Sequence, residues 1–321
     1  MEINIIKAVQ GIANSFLDVY FWLITKMGEE IFFLLMFAGI YLLYSKQFAY
    51  KYSFYYLISV GINAAIKILI RRPRPYVTSS EVLNRLPASE FSFPSGHTQG
   101  FVVQATTGMQ EIGKSKAKKP VKVTMLCVLI FLGIMVMLSR LYWGQHYLSD
   151  TIVGAMLGIA IPFIIDYAIF LCPQKIKDKI NLDFIINAIF LACMAGFVVC
   201  LIIQLALDFA SRKVFTFLGV FGAVSLGYLL EKKYIKYEEK AIWWVTILKG
   251  LITYAVLFGL YFTMNALFEI TGFVYFIVYF VLGLVVSLGL PLLFKVVFKA
   301  KKTANVAVEE TRIEDSKSEE K

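Results

Sequence analysis

Residues 139–150 read SRLYWGQHYLSD and carry Arg140, His146 and Asp150 between two long apolar segments. If the second segment is helical from His146 onward, Asp150 lies four residues later on the same helix face. A carboxylate at that place can hold one imidazole nitrogen, which fixes the tautomer and leaves the other nitrogen basic and able to attack an electrophile. The alternative is that the three side chains simply lie in a hydrated loop at a membrane interface.

A second group of cations ends an earlier apolar segment, in the run KILIRRPRP at residues 67–75. Lys67 lies about two helical turns before Arg74, so in a membrane helix it must point into a wet or anionic pocket. Alternatively, the Lys67 side chain could snorkel, so that its amine reaches the lipid headgroups. Pro73 and Pro75 end the helix and stiffen its exit, which would hold Arg74 over the mouth of such a pocket.

A third block, FSFPSGHTQG at residues 91–100, begins another apolar segment. Pro94 suits a helix start, and Ser95 and Gly96 would expose backbone N–H groups at a positive helix terminus, where phosphate oxygens bind readily. His97 would lie beside that anion. The block could also be an ordinary helix start with a polar histidine, but the chain contains only two histidines and both lie in these blocks.

The composition indicates an integral membrane protein. Hydrophobic residues make up 59% of the 321 residues and charged residues 17%, which is more apolar side chain than a soluble domain can cover. We expect an all-α, polytopic bundle of nine transmembrane helices, at about 30–45, 53–71, 95–111, 121–139, 148–171, 182–207, 214–230, 241–264 and 273–297. The polar positions of the third span require it to face protein or water.

Segment 4–27 carries Lys7, Gln10, Asn14 and Asp18, which favours an amphipathic helix in the membrane interface over a span. No cleaved signal peptide is expected. The four cysteines lack metal-type spacing and should pack within apolar segments.

The predicted organisation is an interfacial helix at 1–28, a catalytic helical core at 29–172, four further membrane helices of unknown role at 173–298, and a disordered cytoplasmic tail at 299–321.

The lysines set the orientation. They recur in alternate loops, near residues 46–51, 114–122, 175–179, 232–240 and 295–302, and the positive-inside rule places these loops and the tail in the cytoplasm. Because these loop lysines account for the net charge of +10, that charge does not indicate that the protein binds nucleic acid. Arg71–Arg74 and Arg140 then lie on the opposite face, which normally avoids cations, and an anion site explains them better than anchoring does.

Together the three blocks resemble the type 2 phosphatidic acid phosphatase superfamily. They match K-x6-RP at residues 67–75, PSGH at 94–97 and SR-x5-H-x3-D at 139–150, each complete and in the family's order. The resemblance covers roughly residues 1–172, and residues 182–298 resemble nothing that we recognise. It implies a metal-independent membrane phosphatase that needs no cofactor.

The resemblance also implies roles for individual residues. His146 would be the nucleophile and form a phosphohistidine, Asp150 would orient it, and His97 would protonate the leaving oxygen. The phosphoryl oxygens would be bound by Lys67, Arg74, Ser95, Gly96 and Arg140. Phosphoryl transfer needs an in-line nucleophile and several cations on the equatorial oxygens, and fixed basic side chains can supply that charge.

We expect hydrolysis of a lipid phosphate or a polyprenyl diphosphate at the extracytoplasmic face of the bacterial cytoplasmic membrane. The short 72–94 loop and its apolar flanks favour a lipid, although nine spans also resemble relatives of glucose-6-phosphatase, whose substrate is a sugar phosphate. The same site could instead transfer phosphate from one lipid to another acceptor. Lys249, in the middle of the eighth span, leaves open an anion transporter, since a charge within a span is a functional candidate.

Overall fold

In a computed structural model of the chain, the described residues are 1–86, 91–173, 182–207, 212–239, 241–267 and 272–298. Every regular element among them is a helix, which confirms the all-α prediction. The predicted cytoplasmic tail at 299–321 lies outside these ranges.

The chain forms two compact units, one of Met1–Phe37 and Gln47–Gln174 and one of Ala38–Lys46 and Lys175–Lys321.

The N-terminal segment of unit 1 forms two helices, α1 (Glu2–Gly11) and α2 (Ser15–Lys26), in place of the single helix that its pattern predicts. The break is made by Asn14, whose side chain accepts the Leu17 N–H at 2.9 Å and caps α2. With 10 and 12 residues, neither helix is long enough to cross a bilayer.

Six further helices follow in unit 1, one of which, α3, continues into unit 2. They are α3 (Glu30–Leu43), α4 (Lys46–Ile70), the single turn α5 (Pro75–Thr78), α6 (Gly96–Lys114), α7 (Lys119–Tyr142) and α8 (Leu148–Leu171). Within the described ranges, seven helices are long and apolar enough to span a membrane, so the count of nine is not confirmed. The two others are α3, which has only 14 residues, and α6, which is too polar.

The polar side chains of α6 face protein, as predicted. Gln99 donates from Nε2 to the Ser59 carbonyl at 2.8 Å, and its Oε1 accepts from the Asn63 amide at 2.8 Å. Gln104 is also buried and hydrogen bonds to Tyr52. Because Tyr52, Ser59 and Asn63 all belong to α4, these contacts fix the register of α6 against α4.

Glycines let α8 approach α6 closely. A Cβ atom on Gly154 would lie 2.7 Å from the Ser95 carbonyl oxygen, and one on Gly158 would lie 2.8 Å from Val102 Cβ. At the end of unit 1 where α4 begins and α8 finishes, Lys51 of α4 pairs with Asp166 of α8 at 3.0 Å. The candidate site lies at the other end, where α4 and α7 finish and α6 and α8 begin.

Unit 2 contains α9 (Leu182–Leu207), α10 (Arg212–Leu230), α11 (Trp243–Leu267) and α12 (Val274–Leu284). α10 ends in a π-helical turn at Glu231–Ile235, and α12 continues as a helix to Phe298 through another at Val285–Gly289. A Cβ atom on Gly219 would lie 2.5 Å from the Phe276 carbonyl oxygen. This glycine therefore allows close packing of α10 on α12.

Lys249 lies in the second turn of α11, and not in the middle of a span as predicted. Its side chain is buried, with 3% exposed, and its Nζ donates to the Tyr237 hydroxyl at 2.8 Å. The same unit buries Glu231, which pairs with Lys46 at 3.1 Å. The buried amine is therefore satisfied by a hydroxyl partner and aromatic neighbours, which accounts for it without an ion pathway.

The four cysteines are free thiols, as predicted. Only Cys193 is buried, so the expected packing role applies to it. Cys127 points outward from α7 and is exposed, which corrects the expectation that all four pack inside. An outward cysteine in a membrane helix behaves as a small apolar residue against lipid.

Candidate active site

Four chain segments meet at one end of unit 1: the exit of α4, the start of α6, the end of α7 and the start of α8. Backbone hydrogen bonds join them. The Ser92 N–H donates to the Arg72 carbonyl at 2.8 Å, and the Ser95 N–H donates to the Asp150 carbonyl at 3.0 Å. The three sequence blocks, which are far apart in the chain, are thereby brought together.

His146 lies in the short connection between α7 and α8 and is 2% exposed. Its Nδ1 is 3.5 Å from Asp150 Oδ2, and its Nε2 is 3.4 Å from Arg74 Nη1. One ring nitrogen thus faces a carboxylate and the other faces a cation. This is the arrangement expected for an imidazole held at Nδ1 that presents Nε2 to an anionic substrate.

The contact between His146 and Asp150 has a different structural basis from the predicted one. The helix α8 begins at Leu148 with Tyr147 as its N-cap, so His146 lies outside the helix. Asp150 occupies the third helical position, and its carboxylate accepts the Tyr147 N–H at 2.9 Å. The carboxylate therefore reaches back across the helix start as a capping side chain, and this brings it to the imidazole.

Asp150 has partners that the sequence did not reveal. It is fully buried, and its Oδ1 accepts from Arg72 Nη1 at 2.7 Å. The Ser92 hydroxyl donates to Oδ2 and also lies 3.5 Å from His146 Nδ1. The only signal for Arg72 was its place in the RRPRP run, and Ser92 had none beyond its proximity to PSGH.

Burial lowers the pKa of His146 well below its ordinary value, and the positive charges of Arg140, Arg74 and Lys67 lower it further. A hydrogen bond with Ser92 opposes this effect without reversing it. The imidazole is therefore neutral near pH 7, which is the form that can act as a nucleophile.

The three cations predicted to bind phosphate are all buried around this imidazole. Arg74 donates to the Gln145 carbonyl at 2.9 Å, and Lys67 donates to the Phe91 carbonyl at 2.6 Å. Arg140 hydrogen bonds to the Thr25 hydroxyl of α2, but its buried Nε has no hydrogen-bond partner. Three buried positive charges and an unsatisfied guanidinium nitrogen favour the binding of an anion here.

Ser95 and Gly96 lie at the start of α6, as predicted. Ser95 is the N-cap, and its hydroxyl accepts from the Thr98 hydroxyl at 3.1 Å. Since its N–H already donates to Asp150, Ser95 positions the helix and does not offer that N–H to a ligand. Helix geometry leaves the Gly96 N–H without an intrahelical acceptor, at the positive end of α6.

His97 is partly exposed in the first turn of α6. A Cβ atom on Gly28 would lie 2.7 Å from both the Cβ atom and the carbonyl oxygen of His97, so the chain between α2 and α3 packs directly on it. No group of three or more His, Cys, Asp or Glu side chains is placed to share a metal ion in the described part of the chain.

Comparison with known proteins connects this geometry to a family. Residues 48–174 match the family model described as the PAP2 superfamily, and residues 215–302 match the model described as the PAP2 superfamily phosphatase transmembrane extension. The second match covers most of the region that the sequence left unassigned. Together the two models match more than half of the chain.

Two relatives are similar over about half of this chain. The chain is 27% identical over 164 residues to a probable sphingosine-1-phosphate phosphatase of Dictyostelium discoideum, covering 49% of this chain and 40% of that protein. It is 29% identical over 171 residues to the undecaprenyl-diphosphatase BcrC of Bacillus subtilis (strain 168), covering 51% of this chain and 82% of that protein. The match thus spans less than half the length of the first relative.

Two solved structures also align. One is LpxE of Aquifex aeolicus, with 24% identity and a TM-score of 0.42, covering 51% of this chain and 93% of that one. The other is a PAP2-type phosphatidylglycerolphosphate phosphatase of Bacillus subtilis, with 20% identity and a TM-score of 0.45, covering 56% and 86%.

Proposed function

We propose that this chain, which belongs to the PAP2 superfamily of membrane phosphatases, hydrolyses a lipid phosphate or a polyprenyl diphosphate through a phosphohistidine at His146. The observation that carries the proposal is the setting of this imidazole. Its Nε2 lies 3.4 Å from Arg74 and its Nδ1 lies 3.5 Å from the fully buried Asp150.

In the first step, neutral His146 attacks the phosphorus atom through Nε2. An N–P bond forms as the P–O bond to the leaving group breaks, and His97 gives a proton to the leaving oxygen. Asp150 accepts the Nδ1 proton in a hydrogen bond and offsets the positive charge that develops on the ring. In the second step, a water oxygen attacks the phosphorus atom and His97 takes a proton from that water, while the N–P bond breaks and releases inorganic phosphate and neutral His146.

The cations supply the electrostatic part of catalysis. Arg74, Arg140 and Lys67 surround the imidazole, and the Gly96 N–H adds the positive end of α6. These groups would bind the three equatorial oxygens, on which charge is spread in the transition state. Because they are held by buried hydrogen bonds before substrate arrives, little reorganisation is needed when the phosphoryl group transfers.

The site lies where a lipid headgroup would meet the protein. It is formed at the ends of membrane helices, at the end of unit 1 opposite the Lys51–Asp166 pair and the lysines between α6 and α7. By the positive-inside rule this end faces away from the cytoplasm. The two named relatives act on phosphorylated lipids according to their names, which supports the same substrate class.

The proposal is tested by phosphate release from purified protein in detergent with a chelator present. The panel would contain phosphatidic acid, phosphatidylglycerol phosphate, undecaprenyl diphosphate, sphingosine phosphate and glucose 6-phosphate, with His146→Ala as the control. Release from at least one lipid that is lost in the variant is expected. Release by His146→Ala at the wild-type rate would overturn the proposal, and preference for glucose 6-phosphate would replace the lipid by a sugar phosphate.

A further inference from the structure

A carboxylate of the N-terminal helix lies next to the proposed site. Glu2, the first residue of α1, places Oε2 2.8 Å from Arg72 Nη2, and its Oε1 accepts the Ser149 N–H at 2.8 Å. Burial alone would raise the pKa of Glu2, but the Ser149 and Arg72 hydrogen bonds and the Arg72 charge outweigh it and lower the pKa. Glu2 is therefore a carboxylate near neutral pH, tied to the first turn of α8.

Arg72 connects Glu2 to the centre of the site. Its Nη1 donates to Asp150 Oδ1 and to the Ser149 hydroxyl, both at 2.7 Å, while Nη2 holds Glu2. The guanidinium carbon lies 3.8 Å above the Tyr147 ring, which fixes the plane of the group. A planar guanidinium with a carboxylate on each of two nitrogens has little freedom to rotate.

We propose that Glu2 is a positioning residue, which acts through Arg72 on Asp150 and thereby fixes the orientation and tautomer of His146. This inference rests on the proposed function and makes α1 part of the active site. The Asp150 Oδ1 held by Arg72 and the Oδ2 that faces His146 belong to one rigid carboxylate. Fixing the first oxygen therefore fixes the second.

A purely structural alternative is that Glu2 only fastens α1 to the rest of unit 1. The same helix provides a matched control, because Lys7 pairs with Glu81 at 3.0 Å and both side chains are largely exposed. This pair fastens α1 to the 79–86 segment and does not touch Arg72 or Asp150. Lys7→Met therefore removes a fastening contact of α1 and leaves the Glu2–Arg72–Asp150 chain intact.

The decisive test is a double-mutant cycle with Glu2→Gln and Arg72→Gln, measured as hydrolysis of short-chain phosphatidic acid. Glutamine at position 2 keeps an acceptor for the Ser149 N–H and removes the charge. We expect Glu2→Gln to lower kcat about 10-fold with KM unchanged, less than the roughly 100-fold loss that a misplaced catalytic group can cause. In the Arg72→Gln background it should have no further effect, because the residue through which it acts is gone.

Each element packed on His146 contributes a charge that faces the imidazole. The cations are Lys67 of α4, Arg74 after α4 and Arg140 of α7, and the anion is Asp150 of α8. Arg72→Gln leaves the Asp150 charge less compensated, which favours the protonated imidazole. The acid limb of the kcat/KM profile should therefore move to higher pH in Arg72→Gln. Lys7→Met should leave both kcat and this limb at their wild-type positions.

A second readout does not depend on catalysis. The chain has only two histidines, so ¹⁵N-histidine spectra can be assigned with a His97→Gln variant. Wild type and Lys7→Met should show His146 with its proton on Nδ1, whereas Glu2→Gln should show a mixture of the two neutral tautomers. An equal loss of kcat for Glu2→Gln in both backgrounds, or an unchanged tautomer, would overturn the inference. If wild type hydrolyses none of the tested phosphates, the proposed function fails and the spectra still test the positioning role.

Discussion

The Ser95 N–H donates to the Asp150 carbonyl oxygen at 3.0 Å, so the residue that caps α6 is bonded to the residue whose carboxylate faces His146. This one hydrogen bond joins the PSGH block to the SR-x5-H-x3-D block through backbone atoms. The start of α6, where we propose that phosphate binds, and the proposed nucleophile therefore keep a fixed separation. Such a constraint suits in-line transfer, where small misplacements are costly.

Gly154 tests that constraint. A Cβ atom there would lie 2.7 Å from the Ser95 carbonyl oxygen, so Gly154→Ala must push the start of α6 away from α8. We expect kcat to fall by about 100-fold, measured in the phosphate-release assay. The matched control is Gly108→Ala, also in a helix of unit 1 and with open space around its Cβ position, which should keep wild-type kcat. Equal activity of the two variants would contradict the account.

The pH dependence follows from the lowered pKa of His146. In the proposed mechanism the neutral imidazole is the active form, so activity should persist below the ordinary histidine pKa of about 6.5 and be lost only as the pH falls through the lowered value. Lys67→Gln removes a charge that lowers this pKa, so the acid limb of kcat/KM should move to higher pH. Lys51→Gln, at the far end of the same helix, is the control and should leave the limb in place. A shift of the Lys67→Gln limb toward lower pH would refute the electrostatic argument.

The proposed role of His97 as a general acid predicts a dependence on the leaving group. His97→Ala should slow hydrolysis of an alkyl phosphate by at least about 100-fold, because an alkoxide is a poor leaving group. For p-nitrophenyl phosphate, whose leaving group needs no proton, the first step should be nearly unaffected, and the phosphoenzyme should accumulate because water attack lacks its base. A burst of p-nitrophenol in stopped-flow measurements would show this. Equal slowing for both substrates, without a burst, would exclude the acid role.

Lys249 should contribute to stability and not to chemistry. Its amine is satisfied by the Tyr237 hydroxyl at 2.8 Å, so Lys249→Met loses one buried hydrogen bond, worth about 1 kcal/mol. A lower unfolding temperature in detergent with unchanged kcat is expected. Chloride or phosphate flux into liposomes that requires Lys249 would revive an anion-transport role.

Several features of the fold and the site were predictable from the sequence because they are local. Apolar length identified the long helices, and the polar pattern of α6 correctly required that it face protein or water. The contact of His146 with Asp150 was also predicted, although it arises from helix capping. Local patterns cannot show which residues from distant segments meet, so Ser92, Arg72 and Glu2 around Asp150 were missed. The break at Asn14 was missed because the apolar pattern continues through it, although a helix-capping residue stands there.

The most direct test of the account is the detection of phosphate on His146 itself. Protein incubated with ³²P-labelled phosphatidic acid in detergent would be quenched with alkali, which preserves phosphohistidine, and then digested and analysed by mass spectrometry. It should detect acid-labile phosphate on the peptide that contains His146 in the wild type, and none in His146→Ala. Phosphate on another residue, or turnover by His146→Ala at the wild-type rate, would contradict it.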